Sequence, residues 1–341
     1  MSEGVYRILQ LGAQSGTLAA PGSAVAATIL YPCEPGGPPT LDRGSAIPNE
    51  DVGRNVRNRP GRGYHGLRAA ELSFESDVRF EDVMRLLEMH YAGGVAPTGV
   101  GPYTWVYPLE GGVSTIKPYT IEEGVVGDTN DQWQLASAAI NELTLSYDAL
   151  AAPGTQPWRA AASVVAFDRS ISALTAALSA PATLETAMGH LTIINDGSTA
   201  TAYASLTELA SSLISFSMTT SRQLIPRPYG GSTDLSSAFG FSEKTTATFE
   251  AMFRITAGTK AAAYDTFNSA GGAITDRRWR VQCSGSGTKK FTVDGRVSIL
   301  KVDIDDRDGE RTYMVSGEFV DDTTLAAPVA ITVINGVATL A

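Results

Sequence analysis

The sequence predicts a mainly β fold with short helices, an α+β chain in which one arrangement of elements occurs twice. Three observations predict it. Segments 68–76 and 246–255 both alternate apolar and polar residues with the period of a half-buried strand. Each is followed by a helical pattern that ends at a Gly-Gly pair. Each half then closes with two strand-like runs joined by turn residues. Self-similarity on this scale ranks above any single element, because it sets the architecture of the whole chain.

Along the first half, Ala24–Tyr31 reads as a strand running into a Pro/Gly-rich loop, residues 35–66. Ala70, Leu72 and Phe74 then alternate with Glu71, Ser73 and Glu75. In Phe80–Tyr91, the residues Phe80, Val83, Met84, Leu87 and Tyr91 recur at helical spacing, Glu81 and Asp82 suit the positive N-terminal end, and Gly93-Gly94 stops the run. Tyr103–Tyr107 is an aromatic strand. Asn141–Tyr147 returns through Ala152-Pro153-Gly154-Thr155 to a strand beginning at Trp158.

The second half offers counterparts in the same order. Leu213–Met218 stands for the leading strand, and Ala247, Phe249, Ala251, Phe253 and Ile255 alternate with polar neighbours. Lys260–Asn268 is a poorer helix with Ala261, Tyr264 and Phe267 as its apolar stripe, and Gly271-Gly272 ends it. Arg278–Cys283 answers the aromatic strand, and Val297–Ile304 returns through Asp308-Gly309, a strong hairpin signal, to Thr312–Val320. The boundary falls near Asp168. Residues 1–168 form a first unit that includes the long loop 35–66, residues 169–341 form a second, and 169–200 bridge them.

Composition bounds the function. A chain of 341 residues, 43% hydrophobic and 18% charged, has the material for a sizeable core and is not a charge-rich disordered chain. Lys and Arg number 26 against 36 Asp and Glu, a net charge of −10, which opposes tight binding of a phosphate backbone by the surface as a whole. Between Ile8 and Cys33 the apolar run is broken by Gln10, Gln14, Ser15, Thr17, Pro21 and Ser23, so neither a membrane span nor a secretory signal is expected, and synthesis in the cytoplasm is.

Known chemical constellations are missing from the sequence. Cys33 and Cys283 lie far apart and read as buried free thiols. Gly61-Arg-Gly-Tyr-His-Gly66 has the spacing of a dinucleotide loop but follows Arg59-Pro60 and precedes a strand, the wrong context. Asp303, Asp305, Asp306 and Asp308 resemble a calcium loop, yet the sixth position is Asp308 and the twelfth Met314, where glycine and glutamate belong; at most a weak cation site remains. His65, His90 and His190 fall in no ligand or nucleophile spacing, and His90, late in a helix, suits a capping or dipole role. No catalytic activity, cofactor or metal is expected.

The long loop stands apart. Its last third carries Arg54, Arg57, Arg59 and Arg62 against Asp51 on an otherwise acidic chain. A run of this length without apolar periodicity tends to be functional, and guanidinium groups pair bidentately with carboxylates, so the arm suits docking onto another copy. Strand 67–76 running into helix 80–91, the long loop before it and the Trp158-bearing hairpin after it together resemble the major tail tube protein of a long, non-contractile-tailed bacteriophage, a siphovirus.

That resemblance implies two tandem tail-tube-like β-sandwich domains, each flanked by a helix, whose hairpins join a ring-shaped inner β-barrel. It implies stacked rings through which DNA passes without specific binding, and a place in the virion tail beside tape measure, tail terminator and distal tail proteins. Tandem units favour a trimer of pseudo-sixfold symmetry over a hexamer. Arg54, Arg57, Arg59 and Arg62 then fall in the loop that reaches the neighbouring ring, and Glu142, Thr144 and Ser146, alternating with Leu143, Leu145 and Tyr147, become candidates for the lumen face. The alternative is a two-domain binding module on a virion or cell surface, taking a carbohydrate or protein ligand on Tyr103, Trp105 and Tyr107 as an exposed stacking platform.

Overall fold

The computed structural model describes residues 7–42, 69–109, 115–149, 156–179, 184–227, 238–241, 245–268, 276–307 and 309–340. Its larger strands in chain order begin with β1 (Arg7–Ala13), β2 (Ile29–Tyr31), β3 (Thr40–Asp42) and β4 (Ala69–Asp77), which runs into helix α1 (Val83–His90). There follow β5 (Tyr103–Pro108), β6 (Tyr119–Val125), β7 (Gln132–Asp148), β8 (Arg159–Ala166) and β9 (Asp168–Ile171). The second half supplies β10 (Thr192–Ser198), β11 (Leu213–Ser221), β12 (Thr246–Arg254), β13 (Arg277–Ser284), β14 (Lys290–Arg307), β15 (Glu310–Val320) and β16 (Val329–Asn335). The chain is mainly β and its ladders are antiparallel, as the period-2 patterns require.

The same pairing scheme runs through both halves. In the first, β4 pairs β8 and β8 pairs β7; in the second, β12 pairs β15 and β15 pairs β14. The N-terminal part of β7 lies between β6 and β9, and that of β14 between β13 and β16. β1 then pairs β6 as β10 pairs β13. Both long strands carry a register shift, at Ile140/Glu142 and at Ile299/Lys301, where each passes from one sheet into the other. A bulge bends a strand and adds twist, which lets one strand serve two layers.

The halves join where β7 pairs β11 over Glu142–Asp148 and Ser215–Ser221. One continuous sheet results, in the order β3-β4-β8-β7-β11-β12-β15-β14. Its inner face contributes Leu72, Phe74, Leu143, Leu145, Phe216, Phe249 and Val315 to a single core cluster shared by both halves.

Two expected counterparts differ. The place that β13 holds in the second half belongs in the first to β6, Tyr119–Val125, and not to the aromatic segment 103–107, which as β5 pairs the last strand β16. Of the expected strand Ala24–Tyr31 only Ile29–Tyr31 pairs, because Pro21-Gly22 and Pro32 confine the ladder on either side.

Helix α1 is buried on all sides and is not the one-faced helix that its spacing predicts. The expected dipole role of Glu81 and Asp82 is also absent: Asp82 makes no capping bond, and the Glu81 carboxylate accepts from the Glu185 amide (2.8 Å) and pairs with Lys289 (2.6 Å). His90 is not a cap. Its Nδ1–H donates to the Ile140 carbonyl (2.9 Å), which leaves Nε2 to accept from the Thr220 hydroxyl (2.8 Å). The imidazole thus pins α1 to the β7 bulge and to β11 across the junction.

The second helical segment forms in three short pieces, Ala257–Thr259, Lys260–Tyr264 in π geometry, and Asp265–Phe267. Thr256 starts it with a reciprocal capping box to Thr259. Its expected stripe is reversed. Ala262, Ala263 and Thr266 face the core, while Ala261, Tyr264 and Phe267 face solvent, because the wider π turn rotates the face on which following residues fall.

Candidate functional site: the polar face of the central sheet

Strand alternation sends every second residue of the central sheet away from the core. On β7 these are Glu142, Thr144 and Ser146, the expected lumen candidates, and the register aligns them with Ser221, Thr219 and Ser217 of β11. Thr144 and Thr219 share a hydroxyl hydrogen bond of 2.9 Å. The next rows are Thr248 and Glu250 on β12, then Glu318, Ser316 and Met314 on β15. Small hydroxylated residues therefore cover the middle of the face.

Carboxylates dominate its charge. Glu71, Glu75 and Asp77 project from β4, Glu142 and Asp148 from β7, Glu250 from β12, Glu310 and Glu318 from β15, and Asp303 and Asp305 from β14. They outnumber the cations whose side chains are described there, Arg159, Arg254 and Lys301. Each cation is already engaged: Arg159 reaches Glu34 (3.1 Å), Glu75 (3.2 Å) and Asp77 (3.3 Å), Arg254 reaches Glu310 (2.9 Å), and Lys301 pairs with Asp303. Exposed pairs of this kind add little stability, but each of these three described cations already has a carboxylate partner.

The face is concave. One groove of about 410 Å³ runs over Ser146, Ser217, Glu250, Met252 and Asp303. Another of about 430 Å³ runs over Glu75, Glu142, Thr144 and Ser163. Both are open troughs in which carboxylates and hydroxyls alternate with other groups, Arg159, Lys301, Met252 and Met314 in the first and Phe74 and Ala162 in the second, without a nucleophile–base pair. Neither protein-family models nor curated proteins give a match to this sequence.

The remaining candidates fall elsewhere. Arg54, Arg57, Arg59 and Arg62, with His65 and the Gly61–Gly66 motif, lie outside the described residues. Trp105 and Tyr107 are buried and stack on each other with centroids 6.5 Å apart, and the Trp105 indole donates to the Val337 carbonyl (3.1 Å). With Tyr103 half-buried, the three form no exposed platform. Alternation along β14 separates Asp303 and Asp305 from Asp306, Asp308 is outside the described residues, and among those described no three ligating side chains converge.

Cys33 is half-buried and Cys283 buried, both unpaired as thiols, and burial pushes them up to about 12 and about 11, so thiolate chemistry is suppressed at neutral pH. Among the described residues no helix is long and apolar enough to cross a membrane.

Sequence reasoning missed the buried carboxylates of β6. Glu123 is buried beneath Arg7, whose Nε lies 2.5 Å away, and Arg7 also reaches Asp131 (2.6 Å). Glu122 accepts from the amide (2.7 Å) and hydroxyl (3.1 Å) of Thr175. These groups are satisfied inside the protein and tie β6 to β1 through Arg7 and to the segment after β9 through Thr175.

Proposed function

We propose that this chain is a structural virion protein, the major tail tube protein of a siphovirus, built as two tandem tube domains and assembling as stacked trimeric rings around a DNA channel. The observation that carries the reading is the doubled ladder. One strand scheme occurs twice in a single chain, and both copies contribute a hairpin to one curved sheet whose outer face is acidic. Three chains would supply six such hairpins and close a ring of pseudo-sixfold symmetry. Closure pairs the edges that an open sheet leaves exposed to aggregation.

The acidic face, with Glu142, Thr144 and Ser146 at its centre, then lines the channel. Carboxylates repel phosphates and outnumber the described cations among them, Arg159, Arg254 and Lys301, which are paired, so DNA would slide along the wall and not lodge on it. The burial of Trp105 and Tyr107 weighs against the stacking platform on which the binding-module alternative relied. The role needs no cofactor. Other tail proteins would meet the rings at the two ends of the tube.

Negative-stain electron microscopy of the purified chain at high concentration tests the reading. Rings or hollow tubes with three- or sixfold end views are expected; compact monomers at every concentration and ionic strength would overturn it. A second result bears on the arm. Replacing Arg54, Arg57, Arg59 and Arg62 together by serine is expected to leave rings intact and abolish their stacking into tubes, read by the same micrographs. Tubes of ordinary length would remove the arm from the mechanism.

A further inference from the structure

The two halves differ at one edge. On the side of β7 away from β8, β6 covers the first part and β11 covers the second, from Glu142 to Asp148. On the matching side of β14, β13 covers Lys290–Val297, and no ladder covers the strand beyond it among the described residues. The side chains record the gap. Leu145 is 0% exposed, whereas Ile304, its counterpart counted from the bulge, is 58% exposed.

The helices record it too. α1 lies across the β7–β11 junction through His90, whereas the second helical segment packs on β14 and β15 and turns Tyr264 and Phe267, 37% and 45% exposed, toward solvent. At the far end of the sheet, residues 34–42 pair β4 as β11 pairs β12, and among the described residues no ladder lies beyond them.

We infer that residues 301–307 of one copy pair antiparallel with residues 34–42 of the next, in the register that β7 and β11 use within the chain. The inference rests on the tube reading and deepens it by naming the ring interface. The internal ladder sets Glu142, Thr144 and Asp148 opposite Ser221, Thr219 and Ser215. Their counterparts by ladder position are Lys301, Asp303 and Arg307 on one side and Asp42, Thr40 and Glu34 on the other.

Transferring the register therefore sets Lys301 against Asp42, Asp303 against Thr40 and Arg307 against Glu34. Two of the three pairs are opposite in charge, although no ladder joins residues 301–307 to residues 34–42 among the described residues of one chain. A slip of two residues would set Asp303 against Asp42, two like charges directly opposed, which disfavours it. Residues 36–39 are two more than their counterparts Ser217 and Met218 and are accommodated as a bulge, with Gly36 and Gly37 supplying the backbone freedom. Tyr264, Phe267 and Ile304 would be covered by the same contact.

Charge exchange tests it. Lys301→Asp and Asp42→Lys are each expected to abolish rings and tubes while leaving the melting temperature of the isolated chain unchanged. The double variant Lys301→Asp/Asp42→Lys is expected to regain them. Rings from either single variant, or no rescue in the double, would overturn this register while wild-type tubes leave the tube reading standing. Failure of wild type to assemble at all would overturn both. As a second readout, mixing Lys301→Cys with Asp42→Cys chains under oxidation is expected to give a covalent dimer that neither gives alone, and its absence from assembled rings would also reject the pairing.

Discussion

Replacing Trp158 by alanine is expected to destabilise the chain by about 3–5 kcal/mol, the usual cost of emptying a large aromatic site in a core. Trp158 opens the return strand of the first hairpin, but its neighbours come from both halves. Its ring lies 4.9 Å from Tyr147, 5.9 Å from Phe216 and 5.4 Å from Phe291 between centroids, and its indole N–H donates to Thr192 (2.8 Å). Its backbone amide and carbonyl bond Ala187 and Val78. Denaturant unfolding followed by circular dichroism should show one transition shifted as a whole. Two transitions with only one displaced would mean that the halves fold on separate cores. Trp158→Phe keeps most of the apolar volume and loses the Thr192 bond, so about 1–2 kcal/mol is expected.

Much of this core was legible in the sequence because its strands face solvent on one side. The alternation around Phe74, Leu145, Phe249 and Val315 survives into the structure as one buried and one polar face, so the spacing locates β4, β12 and β15 within a few residues, and of β7 its C-terminal part, 141–147, but not the nine residues before it. Strands covered on both faces were harder. In β6, Tyr119 through Gly124 are all buried, and nothing local marks the consecutive carboxylates Glu122 and Glu123 as core residues, because their partners Thr175 and Arg7 lie far away in sequence. The aromatic segment 103–107 pairs the last strand and not the position that Arg278–Cys283 holds, because residue type marks a strand but does not reveal its neighbour.

The candidate site divides along similar lines. Glu142, Thr144 and Ser146 could be assigned to the polar face from period 2 alone, and the structure places them there. That the face extends over both halves could not, since it depends on the β7–β11 ladder, whose partners run from Asp148 and Ser215 to Glu142 and Ser221, far apart in sequence. The buried face of the second helical segment lies about half a turn from the stripe that helical spacing predicts, because a π turn has no compositional mark in Lys260–Tyr264. His90 looked like a helix end, and its two partners, Ile140 and Thr220, belong to different halves.

His90 and Asp82, near opposite ends of α1, are expected to give stability opposite dependences on pH. Burial, reinforced by the charge of Arg222, pushes the His90 imidazole from 6.5 down to about 3. The unfolded chain therefore takes up a proton in this interval that the folded chain refuses. The contribution of His90 is complete above about pH 6.5 and is lost as the pH falls toward 3, by up to about 5 kcal/mol. Asp82 behaves in the reverse sense. Burial pushes its carboxyl up to about 7, only partly opposed by Arg79. Here the folded chain holds the proton, so stability is complete below about pH 4 and falls as the pH rises to 7, by up to about 4 kcal/mol.

Between pH 4 and 6.5 the two slopes oppose, and wild type should respond weakly to pH through these groups. Removing either one uncovers the other. Denaturant unfolding of Asp82→Asn should show stability falling as the medium is acidified from pH 6.5, and that of His90→Gln should show stability falling as it is made more alkaline from pH 4. The quantity to compare is the difference from wild type at each pH, which removes other carboxylates such as Asp131, held low by its hydrogen bond to Arg7. A His90→Gln difference that stays constant from pH 4 to 7 would mean that the imidazole takes up its proton in the folded chain as it does in the unfolded one, and is charged at pH 4. The Ile140 carbonyl would still have its donor, but Nε2 could then no longer accept from Thr220, and the brace between α1 and the junction of the halves would have to be redrawn.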